Sequence, residues 1–211
     1  RGPQPCAVAG APAAAAPEGP GTTHLAVADR WGNVVSYTLT IEVTGGSGIV
    51  VPDRGFLLNN ELTDFSFTPS TPGVPDPNLP GPGKRPRSSM APTIVLDEGV
   101  PVLAVGSPGG ATIITTVLQV LTGHLDRGLS LLDAIAAPRA SQRNTAGTEG
   151  EPAFLATPER GALEALGHTF TETAELGAAA GVQQLPDGRW LAAAEPARRG
   201  GGSAMVVQPD G

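Results

Sequence analysis

The chain has 211 residues, a formal net charge of −7 and a biased but globular composition, with Gly 29, Pro 22 and only 4% aromatics. That length is one domain's worth of chain and can bury a core; the acidic balance argues against nucleic acid, whose binders carry a basic patch or stripe, and Lys84 to Arg87 is far too short a run to outweigh it. Cys6 is the only cysteine, which excludes an intrachain disulfide, and the Ala-rich stretch near the start, broken by Pro12 and Pro17, is too short to span a bilayer.

Residues 1–21 are Gly, Pro and Ala without periodicity and read as a flexible linker. Residues 22–41 read as a hairpin turning at Asp29-Arg30-Trp31-Gly32-Asn33. In its second strand Val35, Tyr37, Leu39 and Ile41 share one face, and Ser36, Thr38 and Thr40 the other. A Gly-rich loop follows at 44–48, then a short strand at Phe56 to Leu58. The Pro/Gly-rich residues 69–83 predict an exposed loop or a lid over a site. Thr93 to Leu96 and Val102 to Val105 predict a second hairpin around Asp97-Glu98-Gly99.

A helix is expected from about Ala111, with Ile114, Val117, Leu118, Leu121 and Leu125 as its apolar stripe. Ser130, with Asp133 three residues on, caps a second helix that stops before Pro138. Thr157 as cap with Pro158 at the first position starts a third, ending near Gly167. His168 to Thr173 reads as a strand, a last hairpin turns at Pro186-Asp187-Gly188, and Ala204 to Val207 is a candidate final strand. This order suits two sheets sandwiched between helical layers.

The chemistry concentrates in ordered motifs. Thr22-Thr23-His24 opens the first strand, where a threonine freed as an N-terminus could serve as nucleophile and, through its own amine, as base. Thr40-Ile41-Glu42 ends the paired strand, so pairing around the Trp31-Gly32 turn brings Thr40 beside Thr22. Then come Thr44-Gly45-Gly46-Ser47-Gly48-Ile49, the stretch Gly55 to Phe65, Lys84-Arg85-Pro86-Arg87-Ser88-Ser89-Met90-Ala91-Pro92-Thr93, and Gly106-Ser107-Pro108-Gly109-Gly110. Taken alone, each has a plain alternative: Thr40 is a β-former on an alternating strand, and the carboxylates are of the type usually found solvated. Ser88-Ser89 is an ordinary loop pair. His124 and His168 lack a metal-ligand pattern, and no phosphate-binding motif is present.

Taken together, this ordered set closely resembles the small catalytic subunit of γ-glutamyltranspeptidases (glutathione hydrolases), densely from Thr22 to about Arg139 and more thinly beyond. The resemblance implies an α+β fold, the four-layer αββα sandwich of N-terminal nucleophile hydrolases, with residues 22–211 as its small-subunit part. It implies cleavage at Gly21–Thr22, Thr22 as nucleophile, Thr40 orienting its hydroxyl, and Gly109 and Gly110 as oxyanion donors. Glu42, Glu61 and Asp64 correspond to residues that hold a substrate α-ammonium, and Ser88 and Ser89 to hydroxyls that bind its α-carboxylate. His24 and the Asn59-Asn60 pair read as structural.

The implied reaction is γ-glutamyl transfer from glutathione or other γ-glutamyl amides to water or to amino-acid and peptide acceptors, without a cofactor or metal. The family also needs a longer upstream subunit, which completes the sheets and supplies an arginine for the substrate carboxylate. The chain begins with Arg1 and carries no signal peptide, so a C-terminal piece of a longer precursor is expected. Bacterial members are often exported to the periplasm or secreted; the compartment stays open here. Two other readings remain at this point: an incompetent fragment lacking its large subunit, and a related acylase of the cephalosporin acylase kind.

Overall fold

A computed structural model describes residues 21–208. The linker expected over residues 1–21, apart from Gly21, and Cys6 lie outside these residues. Strands β1 (Thr22–Ala28) and β2 (Val34–Thr40) pair antiparallel, in a register running from Thr22↔Thr40 to Ala28↔Val34. The turn is fixed by Asp29, whose Oδ1 accepts the N–H groups of Trp31 (2.9 Å) and Asn33 (3.0 Å), and by Gly32 at φ 85°. A left-handed backbone there is strained for any residue with a Cβ.

A second sheet has the order β3-β4-β8-β9. Strands β3 (Thr93–Asp97) and β4 (Val100–Gly106) form the expected hairpin. Glu98 and Gly99 both have positive φ, as a two-residue type I′ turn requires. Helix α1 (Ile113–Leu125) enters through a 3-10 turn at Gly110–Thr112, later than the Ala111 start read from sequence. Helix α2 (Leu131–Ala136) is capped by Ser130, whose hydroxyl accepts the Asp133 N–H at 3.1 Å.

Three short strands, β5 (Ala140–Ser141), β6 (Thr148–Gly150) and β7 (Phe170–Glu172), build a third sheet in that order. Between β6 and β7 lie α3 (Pro152–Leu155) and α4 (Pro158–Ala165). Strands β8 (Ala180–Gln184) and β9 (Trp190–Ala194) form the last hairpin. No helix among the described residues is long and apolar enough to cross a membrane.

The layers are helix, sheet, sheet. α1 and α2 cover one face of the four-stranded sheet, and Leu103, Val105, Ile113, Val117, Val120, Leu131 and Ile135 form the core between them. Burial of each such large side chain contributes about 1.5–3 kcal/mol, so this layer carries the fold. The other face meets β1–β2 through small and polar groups: Ser36 Oγ donates to the Val105 carbonyl (3.2 Å), and the His24 ring lies on Gly106. A Cβ at Gly106 would sit 2.3 Å from His24 Cε1, so glycine is what lets the sheets approach.

The alternation read along β2 is present, with a consequence the sequence did not reveal. The polar face turns inward, and Leu25, Val27, Val35, Tyr37 and Leu39 form an exposed apolar outer face. The stripe expected on α1 is likewise displaced. Ile113, Thr116, Val117, Val120 and Gly123 are buried, while Ile114, Leu118 and Leu125 are exposed. α1 is apolar around most of its circumference, so periodicity alone could not choose a face. Gly123 lies on the buried side facing α2, where a Cβ would lie 3.4 Å from Ala134 Cβ.

Three other expectations change. Phe56 to Leu58 is not a strand: only the single bridge Val50↔Leu57 forms. Ala204 to Val207 has no regular structure, and Met205, Val206 and Val207 are exposed. The strand read over His168 to Thr173 shortens to β7, and Thr157 precedes α4 without a side-chain cap, its hydroxyl donating to the Phe154 carbonyl at 2.7 Å.

Candidate active site

The Thr22↔Thr40 register pair places two hydroxyls together: Thr22 Oγ1 and Thr40 Oγ1 are 2.9 Å apart. Thr40 Oγ1 accepts the Glu42 N–H at 2.9 Å and lies 3.4 Å from the Gly21 carbonyl oxygen. That carbonyl also accepts the Ile41 N–H at 3.0 Å, so the β1 ladder extends one residue back and holds the Gly21–Thr22 peptide in place. A Cβ at Gly21 would fall 2.2 Å from the Glu42 carbonyl oxygen. Only a glycine fits this packing without displacing the backbone.

His24 sits two residues along the same inward face. Its Nδ1 is 2.8 Å from Thr38 Oγ1, and its Nε2 is buried without a partner. Burial lowers its pKa to about 4, so near neutral pH it is an uncharged wedge between the sheets.

Past β2, the chain builds an acidic cluster. Glu42 adopts a left-handed φ of 72°, and its carboxylate accepts from Asn60 Nδ2 (2.5 Å) and the Thr63 hydroxyl (3.2 Å). Asn60 Oδ1 in turn accepts the Val43 N–H at 3.2 Å, and Asn59 Oδ1 accepts the Glu61 N–H at 3.1 Å. The two asparagines thus fold the turn that carries a 3-10 helix, Glu61–Asp64. Burial, then the carboxylates of Asp64 and Glu42, raise the pKa of Glu61. Burial and Glu42 raise that of Asp64, against a lowering by Arg87. Glu61 Oε2 is buried without a hydrogen-bond partner.

These raised values carry a stability cost. The folded chain binds these protons more tightly than the unfolded chain, so stability falls as pH rises from the ordinary carboxylate range through the raised values. Glu61→Gln is therefore expected to raise Tm near neutral pH by about 1 °C. The gain should vanish at low pH, where Glu61 is protonated in both states. Thermal unfolding at about pH 7 and about pH 3 checks this; an unchanged or lower Tm at the higher pH would contradict the repulsion.

Ser88 and Ser89 lie in a loop without regular structure, Ser88 exposed and Ser89 half-buried. Adjacent residues in a strand would point to opposite faces, and the loop removes that restriction. The Met90 N–H reaches Ser88 Oγ at 3.3 Å. Residues 69–83 form turns and coil, as expected. Gly109 and Gly110 follow β4 at φ 144° and 53°. A Cβ on Gly109 would lie 2.9 Å from Thr112 Oγ1 and 3.1 Å from Gly177 Cα. His24 resting on Gly106 puts this glycine turn and the start of β1 at the same end of the sandwich. Among the described residues, no group of His, Cys, Asp or Glu could hold a metal ion.

Sequence reasoning missed two features. Asn78 bonds both to the Asp64 segment and to the segment leading into Ser88; only its place in an Asp-Pro-Asn turn signalled it. The second is a buried ionic clamp. Arg139 Nη2 meets Glu195 Oε2 at 3.1 Å, and Arg198 bridges Glu151 (2.5 Å) and Glu195 (3.0 Å). Glu151 Oε1 accepts the Leu176 N–H (2.8 Å), and Arg139 Nη1 donates to the Leu176 carbonyl (2.6 Å). The clamp so fixes the turn whose Gly177 packs against Gly109. Its members are scattered over some sixty residues, which leaves no local pattern to read.

The model of the γ-glutamyltranspeptidase family matches residues 3–205. The glutathione hydrolase proenzyme of Bacillus subtilis (strain 168) is 57% identical over 118 residues, 56% of this chain and 19% of that protein. The Escherichia coli (strain K12) proenzyme is 39% identical over 180 residues, 83% of this chain and 31% of that protein. This chain therefore spans between a fifth and a third of these relatives' length. The γ-glutamyltranspeptidase from Pseudomonas nitroreducens, solved in complex with L-DON, superposes with a TM-score of 0.74 at 36% identity, over 88% of this chain and 100% of that one. The fold is thus that of the N-terminal nucleophile hydrolases, and the chain belongs to the γ-glutamyltranspeptidase family.

Proposed function

We propose that this chain is the nucleophile-bearing portion of a γ-glutamyltransferase and hydrolase, acting on glutathione or other γ-glutamyl amides. The observation that carries this reading is the hydroxyl pair, Thr22 Oγ1 and Thr40 Oγ1 at 2.9 Å, next to the Gly21 carbonyl. In the precursor the Thr22 hydroxyl attacks that carbonyl carbon. The peptide bond becomes an ester as the Thr22 nitrogen leaves with a proton, and water then hydrolyses the ester. The freed amine is the base for turnover.

In turnover the same oxygen attacks the γ-carbonyl of the donor and passes its proton to the amine. The amides of Gly109 and Gly110 stabilise the oxyanion, and the departing amine takes the proton. Water or an acceptor amine then resolves the acyl-enzyme. Glu42, Glu61 and Asp64 bind the donor's α-ammonium, and Ser88 and Ser89 its α-carboxylate. The mutual repulsion of the carboxylates and the unpartnered Glu61 Oε2 support this assignment, since a bound ammonium relieves both. No step needs a cofactor.

The partner is the larger, upstream portion of the same precursor, giving a two-chain enzyme. The Bacillus subtilis and Escherichia coli relatives are proenzymes of which it spans a third or less, yet it covers the whole of one chain of the Pseudomonas nitroreducens structure. The exposed apolar face of β1–β2 supplies a surface for that partner. The test compares γ-glutamyl-anilide with α-glutamyl-anilide, using the processed enzyme from a full-length precursor. The γ-linked substrate should be cleaved at least about a hundred-fold faster, the scale on which a site rejects a misplaced reacting group. Comparable cleavage of both, or of acyl amides without a glutamyl head group, would favour an acylase instead.

A further inference from the structure

An α-amino acid head group sets a strict demand on its site, because its ammonium and carboxylate share one carbon. The groups that receive them must therefore keep a fixed separation. Here those groups lie on segments far apart in sequence: Asp64 ends a 3-10 helix, while Ser88 and Ser89 follow a long loop. No strand pairs the two segments.

One side chain joins them. Asn78 Nδ2 donates to the Asp64 carbonyl oxygen at 2.7 Å and to Ser66 Oγ at 3.2 Å. Its Oδ1 accepts the Arg87 N–H, one residue before Ser88, at 2.8 Å. The backbone adds a third tie, as the Ser66 N–H donates to the Asn78 carbonyl at 3.0 Å. Asn78 is itself fixed by Asp76, whose Oδ1 accepts the Asn78 N–H at 2.8 Å and whose Oδ2 accepts the Ser70 hydroxyl at 2.7 Å. The carboxamide is half-buried, and both donor hydrogens and the acceptor oxygen are engaged. A single planar group thus spans from the ammonium arm to the carboxylate arm.

We propose that Asn78 is a positioning residue that sets the distance between the two arms of the head-group site and so determines selectivity for an intact α-amino-acid head group. This rests on the γ-glutamyl reading above. The Asn78 carboxamide bonds to protein groups on both arms. It acts through the Asp64 backbone on one side and the Arg87–Ser88 backbone on the other. A purely structural bond in this loop would affect folding and turnover without changing which head group is preferred.

The experiment uses the processed enzyme from the full-length precursor and three anilides: γ-glutamyl, glutaryl (no α-ammonium) and 4-aminobutyryl (no α-carboxylate). For Asn78→Ala the γ-glutamyl KM should rise about tenfold with kcat within about twofold, and the preference over both truncated substrates should shrink by about tenfold. Asn78→Asp keeps an acceptor for the Arg87 N–H but sets an oxygen against the Asp64 carbonyl, so discrimination against the glutaryl substrate should be lost first. It also carries the test if Asn78→Ala does not fold. Unchanged preference ratios in these variants, or a fall confined to kcat, would overturn the proposal.

Asp64→Asn, run in parallel, separates the two levels. If it retains full discrimination against the glutaryl substrate, the head-group site itself is misassigned. If it loses that discrimination while the Asn78 variants keep it, only the role of Asn78 fails.

Discussion

A full-length precursor carrying Thr22→Ala is expected to remain one chain and to lose γ-glutamyl turnover by about 10⁴-fold or more, the scale on which nucleophile removal acts. The local geometry gives the reason. The Thr22 oxygen is the one hydroxyl that neighbours the Gly21 carbonyl through the backbone and also sits on a polarised partner. Thr40 Oγ1 accepts the Glu42 N–H and donates to the Gly21 oxygen, and the Thr22 and Thr40 hydroxyls share a hydrogen bond. Ile41 N–H holds the same carbonyl at 3.0 Å. Alanine keeps the backbone scaffold and removes the attacking hydroxyl together with the γ-methyl. Thr22→Ser should restore cleavage in part. Denaturing gels followed over days check the first outcome, and an anilide assay the second; normal cleavage of the alanine variant would remove Thr22 from the mechanism.

The largest effect on stability is expected at the ionic clamp. Arg139 is 1% exposed, as is the Glu195 side chain it meets. Removing one partner of such a pair leaves the other charge buried and uncompensated, which costs about 3–5 kcal/mol. Arg139→Ala should thus lower Tm by roughly 10 °C. Part of the loss arises at Leu176, whose carbonyl would lose the Arg139 bond while its N–H stays with Glu151. Glu195→Gln, which keeps the shape and one acceptor, should cost less than Arg139→Ala. Arg198 also anchors Glu151 and Glu195, so its loss should act on the same unit, and the double variant should cost less than the sum of the singles. Differential scanning calorimetry of the processed enzyme checks these values. A change below about 1 kcal/mol for Arg139→Ala would mean that water reaches the clamp, as at an exposed pair.

The parts of this fold that were legible in the sequence share a local cause. Alternation over Val34–Thr40, with turn residues at 29–33, was enough to pair Thr40 with Thr22. The Glu98-Gly99 turn and the Ser130 cap were likewise set by residues a few positions apart. What stayed hidden depends on contacts distant in sequence. Which face of β2 turns inward goes with the Gly106 gap under His24, and which face of α1 is buried with its packing on β4 and α2. Strands of two or three residues such as β5 and β6 carry no period to detect. The motif residues stood out only as an ordered set, since each alone has a plain alternative. The links between them, Asn78 and the Arg139 clamp, were not, because a hydrogen bond between distant segments leaves no spacing rule.

In the proposed mechanism Thr22 becomes an N-terminus and carries the γ-glutamyl group. The most direct measurement is peptide mapping by mass spectrometry of the processed enzyme, acid-quenched during steady-state turnover of a γ-glutamyl anilide. The expected result is a downstream chain that begins at Thr22, with a γ-glutamyl ester on the peptide containing that residue. A chain that begins at any other residue, or a γ-glutamyl group found on a different side chain, would contradict it.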